Sequence, residues 1–202
     1  MLRAREGLIT LLLCLSGTAA AAELDALKAE CDSCHGPLGV STHSNVPIIA
    51  GQTPEFLAKT LRGFKLWDRP CVKTVYLTGP KAGSKTDMCK VVASLTDEDI
   101  TALSAWYGAQ TFVPPEQEFD AALAAAGEAV HLESCEKCHA QGGALPGRAP
   151  RIAGQWTPYL TSAIRYIPTG ERMCPPLMER KVSDLDKEKL TQLLNYYASP
   201  RE

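Results

Sequence analysis

Two copies of one short cysteine motif constrain this chain more than any other feature of its sequence. Residues 31–35 and 135–139 both read Cys-x-x-Cys-His. The two thiols of such a motif lie about one helical turn apart, so each can form a thioether to a vinyl group of one haem, and the adjacent histidine can ligate the iron. The motifs predict two covalently bound haem c groups. The predicted attachment residues are Cys31, Cys34, Cys135 and Cys138, and the predicted proximal ligands are His35 and His139.

Two other kinds of site use similar cysteine spacing. A redox dithiol does not need a histidine directly after its second cysteine, and a zinc site would have to combine both motifs to reach four ligands. Because the complete five-residue motif occurs twice, haem attachment is the favoured interpretation. The two histidines outside the motifs, His43 and His131, are interpreted as ordinary surface or loop residues rather than ligands.

The N-terminal residues have the pattern of a secretory signal. Arg3 and Arg5 precede an apolar run from Leu8 to Leu15, which is too short to span a bilayer, and small residues follow it. This pattern predicts cleavage near Ala20 or Ala22 and a periplasmic protein, whereas a buried N-terminal helix is the disfavoured alternative. No membrane span is expected, and the formal net charge of -2 gives no indication of nucleic-acid binding.

The sequence between and after the motifs also repeats. Residues 47–52 match residues 150–155 at an offset of 103, while near the end of each copy the offset falls to 90. The first copy therefore carries 13 extra residues between Cys71 and Leu95, interpreted as a loop because Gly and Pro recur there.

A Pro-Pro pair marks the boundary between the copies, since proline cannot continue a helix. The predicted organisation is a signal peptide (1–22), a first cytochrome c domain (23–112), a linker (113–118) and a second cytochrome c domain (119–202). Below, 23–112 and 119–202 are called the first half and the second half.

The secondary structure is predicted to be helical. Thr96 and Asp186 are candidate N-caps, and apolar residues recur after each at helical spacing. A helix is expected to lead into each cysteine motif, and another to follow each Gly-Gln pair. No stretch shows sustained strand alternation, which indicates an all-α fold.

Methionine sulfur often fills the second axial position of an electron-transfer haem. The offset of 90 pairs Met88 with Met178, whereas Met173 aligns with Pro70, which cannot ligate iron. Met88 and Met178 are therefore the predicted distal ligands, with packing in the core as the alternative role. The carbonyls of Pro47 and Pro150 follow the motifs at matching distance and could accept the ring N–H of each proximal histidine.

These motifs resemble those of the di-haem class I cytochromes c. The second half is most similar to the cytochrome subunit of flavocytochrome c sulfide dehydrogenase, through residues 135–139, 153–160 and 197–199. The resemblance implies two tandem class I cytochrome c domains related by pseudo-twofold symmetry. It also implies that a separate FAD-containing flavoprotein subunit oxidises sulfide and passes electrons to the haems. The long loop in the first half departs from that pattern.

Three functions are compatible with this sequence. The chain could be the haem subunit of a sulfide dehydrogenase or a free di-haem shuttle to a terminal oxidase or reductase. It could also be a haem enzyme, such as a di-haem peroxidase or a thiosulfate-oxidising cytochrome, which would need an iron site open to substrate or a special ligand. Two matched methionines argue against the enzyme, although Cys89 beside Met88 leaves a thiolate ligand open. The chain has no dinucleotide-binding glycine motif, so any FAD would belong to another chain. The expected role is electron transfer without a catalytic site, with other redox proteins as electron acceptors.

Three cysteines remain after haem attachment: Cys71, Cys89 and Cys174. Thiols tend to pair in an oxidising compartment, but three cannot all pair within one chain. Closure favours near neighbours, so Cys71 and Cys89 are expected to form a disulfide and leave Cys174 as a buried free thiol. The alternative joins Cys71 to Cys174, because equivalent residues can meet across a pseudo-twofold axis.

Overall fold

A computed structural model describes the backbone of residues 10–200 and the side chains of residues 22–200. The predicted signal peptide therefore lies outside the described side chains, apart from Ala22. Within the described range, no helix is both long and apolar enough to cross a membrane.

The first half is built from helices joined by one small hairpin. Its helices are α1 (Thr10–His35), α2 (Pro54–Lys65), α3 (Met88–Val92) and α4 (Asp97–Gly108), with a 3₁₀ turn at Pro37–Gly39. Strands β1 (Thr74–Val75) and β2 (Lys85–Thr86) pair antiparallel between α2 and α3. The hydrophobic core of the first half consists of Leu57, Val92, Leu95, Ile100, Leu103 and Tyr107.

The second half repeats this arrangement without the hairpin. Its helices are α5 (Ala121–Ser134), α6 (Thr157–Arg165), α7 (Pro176–Ser183) and α8 (Lys187–Ala198). Its core is formed by Leu160, Leu193, Tyr196 and Tyr197. The first cysteine motif forms the end of α1, the second follows α5, and a helix follows each Gly-Gln pair. The all-α prediction is thus confirmed, with the two-residue strands as a small addition.

The last helix of each half begins at its predicted cap. The Thr96 hydroxyl accepts a hydrogen bond from Asp99 N at 3.1 Å, and the Asp99 carboxylate accepts one from Thr96 N at 2.8 Å. The Asp186 carboxylate accepts from Lys189 N at 2.8 Å. These caps satisfy amide groups that have no partner inside the helix.

The two halves hold each other through a reciprocal pair of glutamines. Gln155 accepts from Ile48 N at 3.0 Å and donates to Ile48 O at 2.9 Å. Gln52 accepts from Arg151 N at 2.9 Å and donates to Arg151 O at 3.0 Å. Both glutamines are buried. Since each partner is equivalent to the other at the offset of 103, the contact follows a pseudo-twofold axis.

The segment between the halves is bound to the second half. Residues 111–120 contain no helix or strand. Gln117 donates to Gln155 O at 3.0 Å and accepts from Thr157 N at 3.1 Å. The domain limits at this segment remain a prediction.

The extra residues of the first half form an ordered hairpin rather than the plain loop that was expected. A disulfide joins Cys71 to Cys89 across its base, with the Cα atoms 5.6 Å apart, which confirms the predicted pairing over the alternative with Cys174. Cys174 is a free thiol but only half-buried, so its expected full burial is wrong. The strand pairing was not visible in the sequence because each strand has only two residues.

Candidate haem-binding sites

The first cysteine motif lies at the end of a helix, and a backbone carbonyl group contacts the ring of its histidine. His35 is the last residue of α1 and is buried. Its Nδ1 lies 2.8 Å from Pro47 O. Because a carbonyl can only accept a hydrogen bond, Nδ1 carries the proton and Nε2 keeps the lone pair that a metal needs.

A tight turn brings Pro47 to this position. Ile49 N and Ala50 N both donate to Gly39 O, at 2.9 and 3.2 Å. Gly39 has a φ of +76°, and a Cβ there would lie 2.8 Å from the ring of Tyr107. A larger residue would therefore push the loop away from α4.

The second motif reaches the same geometry from a different local structure. Helix α5 ends at Ser134, and residues 136–139 form turns instead of continuing the helix. His139 is buried with Nδ1 3.1 Å from Pro150 O. Ile152 N and Ala153 N donate to Gly143 O, at 2.9 and 3.0 Å. Both proline carbonyls thus occupy the positions expected from the sequence.

The electrostatics of both motifs suit haem attachment better than redox dithiol chemistry. Burial lowers the pKa of His35 and of His139, outweighing the opposing effect of the carbonyl hydrogen bonds, so both rings are held neutral as metal ligands require. Burial raises the pKa of the Cys31 thiol to about 12 and also raises that of Cys135. A reactive dithiol needs a lowered thiol pKa, whereas a thioether sulfur carries no proton.

The two predicted distal methionines occupy different surroundings. Met88 is the first residue of α3 and packs against the same core as Cys31. Met178 is half-buried on α7 and, in the part of the chain that the structure describes, does not pack against the second core as Cys135 does. Met173 is 67% exposed.

Two arginines at the interface between the halves complete the fit to a haem. Arg69 and Arg172 lie close to the hydroxyl of Tyr159. Burial alone would raise the pKa of that hydroxyl, but the positive charges of the two arginines lower it. Burial lowers the pKa of Arg69 to about 10. Neither arginine has a carboxylate partner within the described residues. An acidic group such as a haem propionate would neutralise these charges, so the donor set and the charge both fit the cofactor.

The interpretation of His131 as a surface or loop residue is wrong. His131 lies on α5 with none of its surface exposed. Its Nε2 is 2.7 Å from the Glu136 carboxylate and its Nδ1 is 2.9 Å from the Tyr197 hydroxyl. The spacing of Ala124, Gly127 and His131 along one helix face was the sequence signal for its burial. His43, in contrast, is exposed in a loop as expected.

The hairpin of the first half lies directly on the first cysteine motif. Leu77 N and Thr78 N donate to Ser33 O, at 3.2 and 3.0 Å. The sulfur of Cys34 lies 3.9 Å from Val75 O. No sequence pattern linked these residues, which are about 40 positions apart.

Comparison with known proteins gives one family match and several relatives. Residues 122–196 match the family described as cytochrome C oxidase, cbb3-type, subunit III. Cytochrome c4 of Azotobacter vinelandii is 29% identical over 188 residues, which cover 83% of this chain and 84% of the relative.

Solved structures match over a similar length. Reduced recombinant cytochrome c4 from Pseudomonas stutzeri has a TM-score of 0.69 and 25% identity, with coverage of 89% of this chain and 97% of that chain. The thiosulfate dehydrogenase TsdBA from Marichromatium purpuratum has a TM-score of 0.66 and 27% identity, with coverage of 85% of this chain and 36% of that chain. Each match is long enough to include residues of both halves.

Proposed function

We propose that this chain is a di-haem class I cytochrome c that carries electrons without a catalytic site of its own, and that it is the periplasmic haem subunit accepting single electrons from an FAD-containing sulfide dehydrogenase. Its similarity to cytochrome c4 over most of the length of both chains supports the electron-transfer role. The observation that carries the proposal is the structural similarity to 36% of the thiosulfate dehydrogenase TsdBA. There a unit like this chain is part of a larger protein named for the oxidation of a sulfur compound. The motifs of the second half support the same assignment.

The chain's own residues would hold two haems in the same way. Cys31 and Cys34 would bind one covalently, with His35 and Met88 as axial ligands. The equivalent set in the second half would be Cys135, Cys138, His139 and Met178. A bound haem supplies an iron that gains or loses one electron. The carbonyls of Pro47 and Pro150 would orient the proximal rings, and the paired glutamines would fix the halves against each other.

Substitution of the methionines tests the proposed distal ligands. Oxidised protein with two His/Met irons should show a weak near-infrared band from sulfur bound to iron, and Met178→Ala should remove about half of it. Met173→Ala is the matched control, because Met173 is exposed. A full band in Met178→Ala would assign the ligand to another residue.

Purification from the native host tests the proposed partner. The cytochrome should elute with a flavoprotein at constant stoichiometry, and the complex should contain FAD that sulfide bleaches. A complex without flavin, or no complex at gentle salt concentrations, would contradict the proposal.

The second candidate is a free di-haem shuttle to a terminal oxidase or reductase. It is favoured by the similarity to cytochrome c4 of Azotobacter vinelandii, which this chain matches over 84% of the relative's length. Under this alternative, the cytochrome should elute alone and still reduce or oxidise soluble redox proteins.

A further inference from the structure

The hairpin of the first half is a rigid basic surface over a haem attachment site. Residues 72–86 contain three lysines and no acidic residue, although the chain as a whole has a formal net charge of -2. The second half has no equivalent segment, because the 13 extra residues of the first half lie between the part that matches at an offset of 103 and the part that matches at an offset of 90. The surface is therefore specific to the first half.

Several contacts hold the hairpin in place from its inner side. The disulfide closes its base, and Thr78 bonds to Ser33 O through both its amide and its hydroxyl group. Tyr76 is buried and its hydroxyl donates to Glu30. Lys81 forms an ion pair with the same carboxylate at 2.7 Å. One of the three lysines is thus used to fasten the hairpin.

The outer side of the hairpin is exposed and carries the other two lysines. Lys73 and Lys85 are exposed and have no ion-pair partner in the described part of the chain. Lys85 pairs in register with Val75, which is 38% exposed, and Val72 is 48% exposed. Apolar groups next to unpaired charge are typical of a transient protein interface.

The position of this surface indicates what it could bind. Because Val75 O lies 3.9 Å from the sulfur of Cys34, a protein seated on the hairpin is separated from the proposed haem attachment by one layer of backbone. We propose that the outer face of residues 72–86 is the docking surface for an acidic one-electron redox protein, which exchanges electrons with the first haem. One electron crosses the contact, and no bond is made or broken. The inference rests on the proposed electron-transfer role but not on a flavoprotein partner.

Charge reversal tests the docking surface. The probe is a plant-type [2Fe–2S] ferredoxin, a small acidic redox protein, and its affinity for the holo-cytochrome is measured at low and near-physiological salt. Lys73→Glu/Lys85→Glu should weaken binding about tenfold at low salt and remove most of its salt dependence. In nuclear magnetic resonance titrations of the wild type, the shifted amides should cluster in residues 72–86.

A matched control separates the position of the charge from its amount. Lys187→Glu/Lys189→Glu makes the same change in net charge at exposed positions of α8, and it should weaken binding less than twofold. Equal weakening by both variants would overturn the proposal. Unchanged binding in the hairpin variant would also overturn the proposal and would mean that the hairpin only covers the motif. Binding of the cytochrome to anionic lipid vesicles but not to ferredoxin would overturn it as well. If charge reversal disturbs the haem spectrum, Lys73→Ala/Lys85→Ala replaces it, with an expected weakening of about threefold.

Discussion

The two halves share the contacts around the proximal histidine. In each, a buried histidine is hydrogen-bonded to a proline carbonyl, and a glycine carbonyl accepts hydrogen bonds from two backbone amides of the following turn. The groups around the cysteines differ, however. In the first half, the Tyr107 hydroxyl donates to Asp32 at 2.7 Å. In the second half, His131 stands between the equivalent Tyr197 and Glu136. The geometry at the proposed iron ligand is thus shared, while the polar groups behind the motif vary.

A second difference concerns a residue in the turn after α2 and its equivalent after α6. Trp67 has a φ of +62° and is 74% exposed. Its equivalent at the offset of 103 is Gly170, with a φ of +76°. Glycine adopts this left-handed conformation at little cost, whereas a bulky residue is strained there. The two halves therefore share this left-handed backbone conformation although one has tryptophan and the other glycine at the position.

Together these differences show which parts of the repeat tolerate change. Contacts that orient the histidines and join the halves occur twice, because both haem sites need them. The hairpin and Trp67 occur once, on the surface of the first half. The two haems are therefore expected to meet different partners, and substitutions can test how far the halves differ.

Removal of the disulfide should give the largest effect. Cys71→Ser/Cys89→Ala should lower the free energy of unfolding by about 3 kcal/mol, since the closed loop has about 19 residues. Urea unfolding monitored by circular dichroism measures it. Cys174→Ser should change the free energy by less than about 1 kcal/mol. Equal midpoints for wild type and the double variant would mean that the inner contacts of the hairpin suffice to hold it.

The glutamine pair should reveal an asymmetry within the symmetric interface. Gln155→Ala leaves both backbone groups of Ile48 without partners, and Ile48 is 1% exposed. The expected cost is about 2 to 3 kcal/mol. Gln52→Ala should cost about 1 kcal/mol, because Arg151 is half-buried and water can replace the lost bonds. Thermal unfolding of both variants compares them, and a larger loss for Gln52→Ala would contradict this ranking.

The left-handed position offers a reciprocal test in both halves. Trp67→Gly should stabilise the chain by up to about 1 kcal/mol, since it relieves strain at an exposed site, although glycine also favours the unfolded chain. Gly170→Ala should destabilise by about 1 kcal/mol from strain alone, because an added Cβ meets nothing within 4 Å. Chemical unfolding under identical conditions measures both changes. A loss of stability in Trp67→Gly would show that the tryptophan makes a stabilising contact.

The smallest effect should be a change in pH dependence in the second half. Hydrogen bonds from Gly142 N, His131 and Gln141 N lower the pKa of Glu136. A lowered pKa in the folded state means that this stabilisation is present above the ordinary value and is lost as pH falls through the lowered one. Glu136→Gln should therefore flatten the acid side of the stability profile. Glu133→Gln removes the same charge from the exposed side of α5, and an equal flattening there would assign the effect to net charge.

Local patterns were sufficient to predict much of this molecule. The helix caps at Thr96 and Asp186 and the Cys71–Cys89 disulfide follow from residues close in sequence, and the structure contains them. The carbonyl partners of His35 and His139 lie only 12 and 11 residues away. Chain geometry limits the conformations of such short segments, so a few side chains can specify them.

Contacts between distant residues were decided by the tertiary structure. The sequence did not show that the carbonyl of Ser33 would accept hydrogen bonds from the hairpin. It also did not show that Gln155 would bond to Ile48, which lies 107 positions away. The bond between His131 and Tyr197 was not visible in the sequence either, because Tyr197 reaches the histidine from α8, 66 positions further along the chain. A polar side chain has many possible partners in an unfolded chain, and only the packing of the helices leaves one available. The sequence therefore determined the repeated motifs and their helices, whereas the folded arrangement alone decided how each motif is covered.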